Sequence, residues 1–309
     1  MNTSTAYTLV MIGVFGHASS EFFAVLSDAT GPEVSVWRFV LGAFGLLIIT
    51  QAIPAARNLL APLREEWKTL LPLSLLGVTL PYLAFHWSLD FASIVQIGTL
   101  MTTIPIFVGI TNLLVNRQPL GFVKIVSGLC TIIGVALLVT DGYLLQLAGD
   151  NRSLTGIGLA LVSAIGVGSY TVFVRPLILR HGALRITTIS MSIGAAGLWL
   201  MVGTFWSIWV NPATIFAMPG NVALPLLIVG FWNTTITQLC WLMGLAALPD
   251  ITRGSYLFFL KPVITALLAW LILTQPITWT QLLAIAVICS SVLFEFMSGY
   301  FRRWGNSPA

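Results

Sequence analysis

The feature that most limits what this chain can fold into is a succession of ten apolar stretches, each close to the length of a membrane span. They occupy residues 5–26, 34–53, 69–88, 93–115, 121–140, 155–177, 184–206, 222–245, 251–273 and 279–298. An α-helix needs about 20 residues to cross a hydrocarbon layer roughly 30 Å thick, and shorter hydrophobic patches do not reach. Charge is sparse: 309 residues include 14 Lys or Arg and 10 Asp or Glu, against 57% hydrophobic residues. A water-soluble domain of this size needs a polar and charged exterior, which a mean hydropathy of +0.96 does not supply. Lipid is therefore the expected solvent for most of the outer surface. The fold class that follows is an all-α polytopic membrane protein with ten transmembrane helices. Gly and Pro inside the stretches do not exclude helices, because neighbouring helices satisfy a disrupted backbone within a bilayer.

The bases give the orientation, since short cytoplasmic loops and flanks accumulate Lys and Arg. Placing both termini in the cytoplasm puts 11 of the 14 bases on that side, among them Arg57, Lys124, Arg175 and Arg253. Arg38, Arg152 and Lys261 are the others, while Asp28, Glu33, Asp90, Asp141 and Asp150 fall towards the outer side. This is the pattern of a multi-pass membrane protein. A nucleic-acid partner is not expected, because the bases lie between apolar runs and form no patch. Cys130, Cys240 and Cys289 sit inside apolar stretches, without the close spacing of a zinc site. They read as buried or lipid-facing fillers. The first stretch follows the polar run MNTST, without a basic region or an A-x-A-like cleavage site, so it is expected to remain in the mature protein.

The chain also repeats itself. Residues 83–139 resemble residues 240–296 at a constant offset of 157, which places Pro105 opposite Pro262, Gln118 opposite Gln275 and Pro119 opposite Pro276. Five spans make one unit, giving repeats over residues 1–145 and 146–309. Because five is odd, corresponding segments enter the bilayer from opposite sides, the arrangement of an inverted-topology repeat. Two such repeats supply a physical basis for a carrier with two alternating states.

Three segments carry a family resemblance: VWRF around Arg38, IPIFVGITNLLVNRQPL in the fourth span and its turn, and LKPVITALLAWLILTQPIT in the second half. With the five-span repeat, they resemble the EamA branch of the drug/metabolite transporter superfamily over nearly the whole chain. The resemblance implies an inner-membrane secondary transporter that moves a small organic metabolite, such as an amino acid or related compound, outward along a central path gated alternately at its two ends. Two departures stand out. The acid common before the final proline of each turn is Gln118 in one half and Gln275 in the other, and the first helix carries GHASSEFF. A Gln amide does not titrate, which weakens a proton relay through the turns but allows a structural hydrogen bond there.

Polar groups inside the spans are the site candidates, because charge in hydrocarbon is costly unless it faces a partner or water. His17 and Glu21 share one face of the first helix. Lys261, just before Pro262, is the plausible opposite charge to Glu21; the pair either rearranges in transport or is a static structural contact. Arg38 joins them through the family resemblance. His86 and Gln96 towards the outer side, Tyr170, Gln238 and Tyr256 towards the inner side, and Asn233 nearer the midplane complete a polar track; helix–helix hydrogen bonding is the alternative for each. Trp87 and Trp241 either contact solute or anchor and pack. Pro105 and Pro262 are expected to bend or gate their helices. Titration of Glu21 or a central His would allow proton coupling. No cofactor or metal is implied. An enzyme is not expected, since no H-E-x-x-H motif appears and the three His are far apart in sequence. A small-solute channel and a non-transporting membrane scaffold remain the alternatives.

Overall fold

The computed structural model describes residues 1–27, 29–92, 94–119, 121–140, 151–273 and 277–305, and side chains of Glu21 and Gln96 lie outside that description. Among the described residues every regular element is a helix. Among the described residues, seven helices are long and apolar enough to cross a membrane: α2 (Gly31–Ala52), α3 (Leu60–Ser88), α7 (Leu154–His181 of Asn151–His181), α8 (Ala183–Trp206), α9 (Gly220–Ala247), the run Ile251–Leu268, and α12 (Trp279–Met297 of Trp279–Gly305). The first helix, α1 (Thr3–Leu26), has 24 residues. At about 1.5 Å per residue it is also long enough to span. Shorter apolar helices are α5 (Ile104–Asn116) and α6 (Phe122–Thr140).

Two of the expected continuous spans are broken. The stretch 93–115 divides into α4 (Ile94–Met101) and α5, and 251–273 divides into α10 (Ile251–Ser255), a 3₁₀ turn (Tyr256–Leu260) and α11 (Lys261–Leu273). Pro105 and Pro262 are each the second residue of the helix that resumes. At that position the missing N–H costs nothing and the fixed φ suits a helix start. Pro105 therefore restarts a helix after a turn, whereas Pro262 stands where the 3₁₀ turn passes into α-helix within the continuous run Ile251–Leu268.

The third helix of each half contains a π-helical stretch, Leu75–Thr79 in α3 and Ile228–Ile236 in α9. Each begins three residues after a proline, within LPLSLLG and LPLLIVG, so Pro72 corresponds to Pro225 and Gly77 to Gly230 at an offset of 153. The π stretches have 5 and 9 residues. The four additional residues account for the change from an offset of 153 before them to 157 after them, as at Pro105 and Pro262. A widened ladder also leaves carbonyls for other donors, as π turns often do at functional positions.

These stretches are gripped across the halves. The α2 run Gly42-Ala43-Phe44-Gly45 lies on the π stretch of α9, and the α8 run Gly194-Ala195-Ala196-Gly197 lies on that of α3. A Cβ added to Gly42 would stand 2.6 Å from Thr234 Cβ, and one added to Gly194 would stand 3.0 Å from Val78 Cβ. Only a side chain of hydrogen lets these helices approach so closely. Threonines complete both contacts: Thr235 Oγ1 donates to Gly42 O at 2.8 Å, and Thr79 Oγ1 donates to Gly194 O at 3.2 Å. Elsewhere α1 packs on the second part of α9 and on α11, while α7 packs on the second part of α3 and on α5. Helix α2 packs on α8, and α6 on α12. Large exposed apolar side chains such as Phe44, Leu76, Leu114, Phe122, Leu200 and Leu283 cover the outside, as lipid contact requires. The three cysteines are free; Cys130 is exposed and the other two half-buried.

Candidate functional site

A small cavity lies where the broken helices meet. His17 and Ser20 of α1, Arg38 of α2, Tyr82 and Phe85 of α3, and Lys261 at the start of α11 line it, closed by Met101, Ile104, Val167, Trp241 and Phe258. Its volume is about 30 Å³, enough for water and too small for a metabolite. Rings form much of the wall. Trp241 meets Phe258 edge-on at 5.3 Å between centroids, and His17 meets them at 5.9 and 5.5 Å. The cations rest against rings: Lys261 Nζ is 5.7 Å from the Phe258 centroid and Arg38 Cζ is 5.6 Å from that of Tyr82.

The α9 π stretch positions Arg38, which is only 2% exposed. Its Nε donates to Thr234 Oγ1 at 3.1 Å and its Nη2 to the Asn233 carbonyl at 3.2 Å. The Asn233 side chain turns the other way and ties the same stretch to α1, donating to Gly16 O at 2.6 Å and Ser19 Oγ at 2.9 Å. Behind Arg38, His86 Nδ1 lies 2.9 Å from the Tyr82 carbonyl, and its Nε2 lies 3.5 Å from Arg38 Nη1. Nδ1 also lies 2.8 Å from Ser35 Oγ, a hydroxyl that can donate or accept, and the arrangement fits a ring protonated at Nδ1 with the Nε2 lone pair towards Arg38. Gln238 Nε2 donates to Tyr82 Oη, which fixes the phenol at the cavity wall.

A polar cluster closes the end of the bundle where α1 begins and α12 ends. Lys124 of α6 pairs with Asp250, which also caps α10 by accepting from the Arg253 backbone N–H at 3.0 Å. Arg253 faces Glu295 of α12, Nε to Oε2 at 3.3 Å, and donates to the Glu295 and Phe296 carbonyls. Tyr256 Oη donates to the Lys124 carbonyl at 2.6 Å, Asn112 Nδ2 to Thr252 Oγ1 at 3.1 Å, and Arg175 Nη2 to the Leu248 carbonyl at 2.6 Å. Six helices are clasped together here.

The sequence candidates thus separate into groups. His17, Arg38, Trp241 and Lys261 line the cavity, while His86, Asn233 and Gln238 hold the lining groups from behind. Tyr256 belongs to the clasp. Tyr170 lies against Gly77 beneath the α3 π stretch, and Trp87 stands edge-on to Trp206 at 4.8 Å in a separate apolar groove; neither lines the cavity. Gln118 accepts from Asn112 at 2.8 Å, the structural hydrogen bond its amide allows. Glu21 and Gln96 are in helical backbone, their side chains outside the described residues, as is Gln275 altogether. Sequence reasoning passed over Ser20, Tyr82 and Phe258, and the clasp. Signals existed: Tyr82 precedes His86 by one helical turn, and Glu295 is an acid inside the last apolar stretch.

Comparison with known proteins agrees with this architecture. A solved crystal structure superposes with a TM-score of 0.78 at 15% identity, covering 98% of this chain and 99% of that one, which establishes the shared fold. The uncharacterized transporter YdfC of Bacillus subtilis is 22% identical over 289 residues, 93% of this chain and 89% of its own. The uncharacterized inner membrane transporter YicL of Salmonella typhimurium is 26% identical over 251 residues, 81% of this chain and 80% of its own. The profile of the EamA-like transporter family matches residues 4–140 and 154–297. With polar groups buried among membrane-length helices and both halves covered by one family profile, the chain belongs to the EamA-like transporter family and is a multi-pass membrane transporter.

Proposed function

We propose that this protein is a secondary carrier that moves a small organic metabolite out of the cell by alternating access. In this reading ten crossings form two inverted five-helix repeats, 1–145 and 146–309, with both termini in the cytoplasm. One observation carries it: each half lays a Gly-x-x-Gly run on the π stretch of the other half, with matching threonine-to-glycine hydrogen bonds. Paired joints of this kind let one half shift against the other around a fixed central cavity. The clasp at the termini face then reads as the closed cytoplasmic gate, and the constricted cavity as a state with no solute admitted.

His86, held between the Tyr82 carbonyl, the Ser35 hydroxyl and Arg38, serves as a fixed support, which leaves Glu21 and His17 as the groups for proton coupling. Flux measured with and without a pH gradient tests that coupling. The carrier itself is tested by accessibility. In a background with Cys130, Cys240 and Cys289 replaced by Ser, Ser20→Cys is offered a membrane-impermeant maleimide from each face in oriented vesicles. Labelling from both faces, with blocking of one face increasing the population reached from the other, is the expected result. Labelling from one face only under every condition argues for a static scaffold, and unitary currents through the purified protein argue for a channel.

A further inference from the structure

We infer that the protein holds a short file of ordered water at the junction of α3, α7 and α8, hydrogen-bonded to Ser74, Tyr170, Thr187 and Ser190. The file leads from the central cavity towards the end of the bundle where α3 and α8 begin. A static scaffold could hold this water as well as a carrier, so the site goes beyond the transport reading.

Four buried hydroxyls point to it. Ser74, Thr187 and Ser190 are fully buried and Tyr170 is 4% exposed, yet none of their side-chain oxygens has a hydrogen-bond partner among the described residues. Other buried hydroxyls of these helices turn back onto their own backbone: Thr171 donates to the Val167 carbonyl at 2.8 Å and Thr50 to the Leu46 carbonyl at 2.7 Å. The four do not take that route. An unpaired hydroxyl inside a membrane protein is costly, and water is small enough to reach one between packed helices.

Packing brings the four together. Val78 of α3 meets Gly194 of α8; Ser74 lies one turn before Val78, Ser190 one turn before Gly194, and Thr187 one turn further along the same face. The Tyr170 ring lies on Gly77, and its hydroxyl neighbours that of Ser190 without coming to hydrogen-bond distance. One turn before Tyr170 on α7 stands Val167, which lines the cavity, and Tyr82 of the cavity wall also interacts with Tyr170. The file therefore starts at the cavity and ends at Thr187, only about 6 Å of helical rise from the start of α8 at Ala183.

Side-chain size supplies the room. Ser190 precedes Gly194 by the same interval as Arg38 precedes Gly42, in the two runs that grip the π stretches. Where α2 sends a guanidinium to the π stretch of α9, α8 presents a single short hydroxyl. Water takes up the polar contacts that Arg38 makes in the other half.

The test is X-ray radiolysis of the purified full chain in detergent, read by mass spectrometry, because hydroxyl radicals formed from bound water oxidise the side chains beside it. Tyr170 is expected to be oxidised at least about fivefold faster than Phe259, a fully buried ring packed on Tyr256. Ser190→Val, which removes the hydroxyl and fills its surroundings, is expected to slow oxidation of Tyr170 by about threefold or more and to leave Phe259 unchanged. If that variant does not elute as the wild type does, the ratio of Tyr170 to Phe259 in the native protein decides alone. A ratio below about fivefold, or an unchanged Tyr170 rate in correctly folded Ser190→Val, overturns the water file. Either result leaves the Ser20→Cys labelling untouched, so the two readings fail separately.

Discussion

Glu295→Gln is the sharpest perturbation of the proposed gate. Arg253 and Glu295 face each other at 3.3 Å with side chains 13% and 4% exposed, so water screens the pair little. Removing one charge of a buried pair commonly costs several kcal/mol; with the carbonyls of Glu295 and Phe296 still accepting from Arg253, about 2–3 kcal/mol is the expected cost here. If the clasp exists only in the cytoplasm-closed state, that cost falls on this state alone and shifts the equilibrium towards opening by roughly 30- to 150-fold. The reporter is Thr252→Cys, since Thr252 is 2% exposed beneath the clasp. Its labelling rate by an impermeant maleimide in inside-out vesicles is expected to rise at least tenfold on adding Glu295→Gln. A rate within about twofold of the parent, with a lowered unfolding temperature, would falsify the gate and leave a static structural pair.

Further outcomes are expected. Gly194→Ala forces a Cβ to 3.0 Å from that of Val78, a β-branched residue with little freedom, and should cost about 1–3 kcal/mol in thermal unfolding. Gly98→Ala, with nothing within 4 Å, should be neutral or slightly stabilising; equal effects of the two would remove the argument for a tight joint. Arg38→Lys loses the forked grip on Thr234 and Asn233 and should cost about 1–3 kcal/mol in the same assay, while retained stability would show that the fork is dispensable. Transport should change in Glu21→Gln, Lys261→Gln or the double variant, and unchanged flux in all three would exclude both residues from the path. Trp87→Ala, outside the cavity, should leave transport within about twofold by the absence of solute contact; a loss of tenfold or more in correctly folded protein would return Trp87 to the path.

The membrane class was legible because hydrocarbon imposes a length and forbids exposed charge, and both appear directly in the residue order. The correspondence of Pro105 with Pro262 was equally plain, but its consequence was not: proline at a helix start and proline within a kinked helix have the same sequence. The repeat was visible from residue 83 onward and faded before it, because the α9 π stretch is four residues longer than its partner and shifts the alignment there. His17, Arg38, Trp241 and Lys261 could be nominated singly as polar or aromatic groups in apolar runs, and three-dimensional packing brought them to one cavity.

By itself, then, the sequence determined the solvent, the helical class, the recurrence of one unit and the short list of costly buried groups, since each depends on local composition or spacing. Tertiary structure decided which of those groups share a wall, which stand behind it, and that Arg38 is held by the carbonyl of Asn233, within a π turn 195 residues away. Those outcomes depend on contacts between helices distant in the chain, where a glycine's missing side chain or an acceptor's direction acts only once the partner helix is in place.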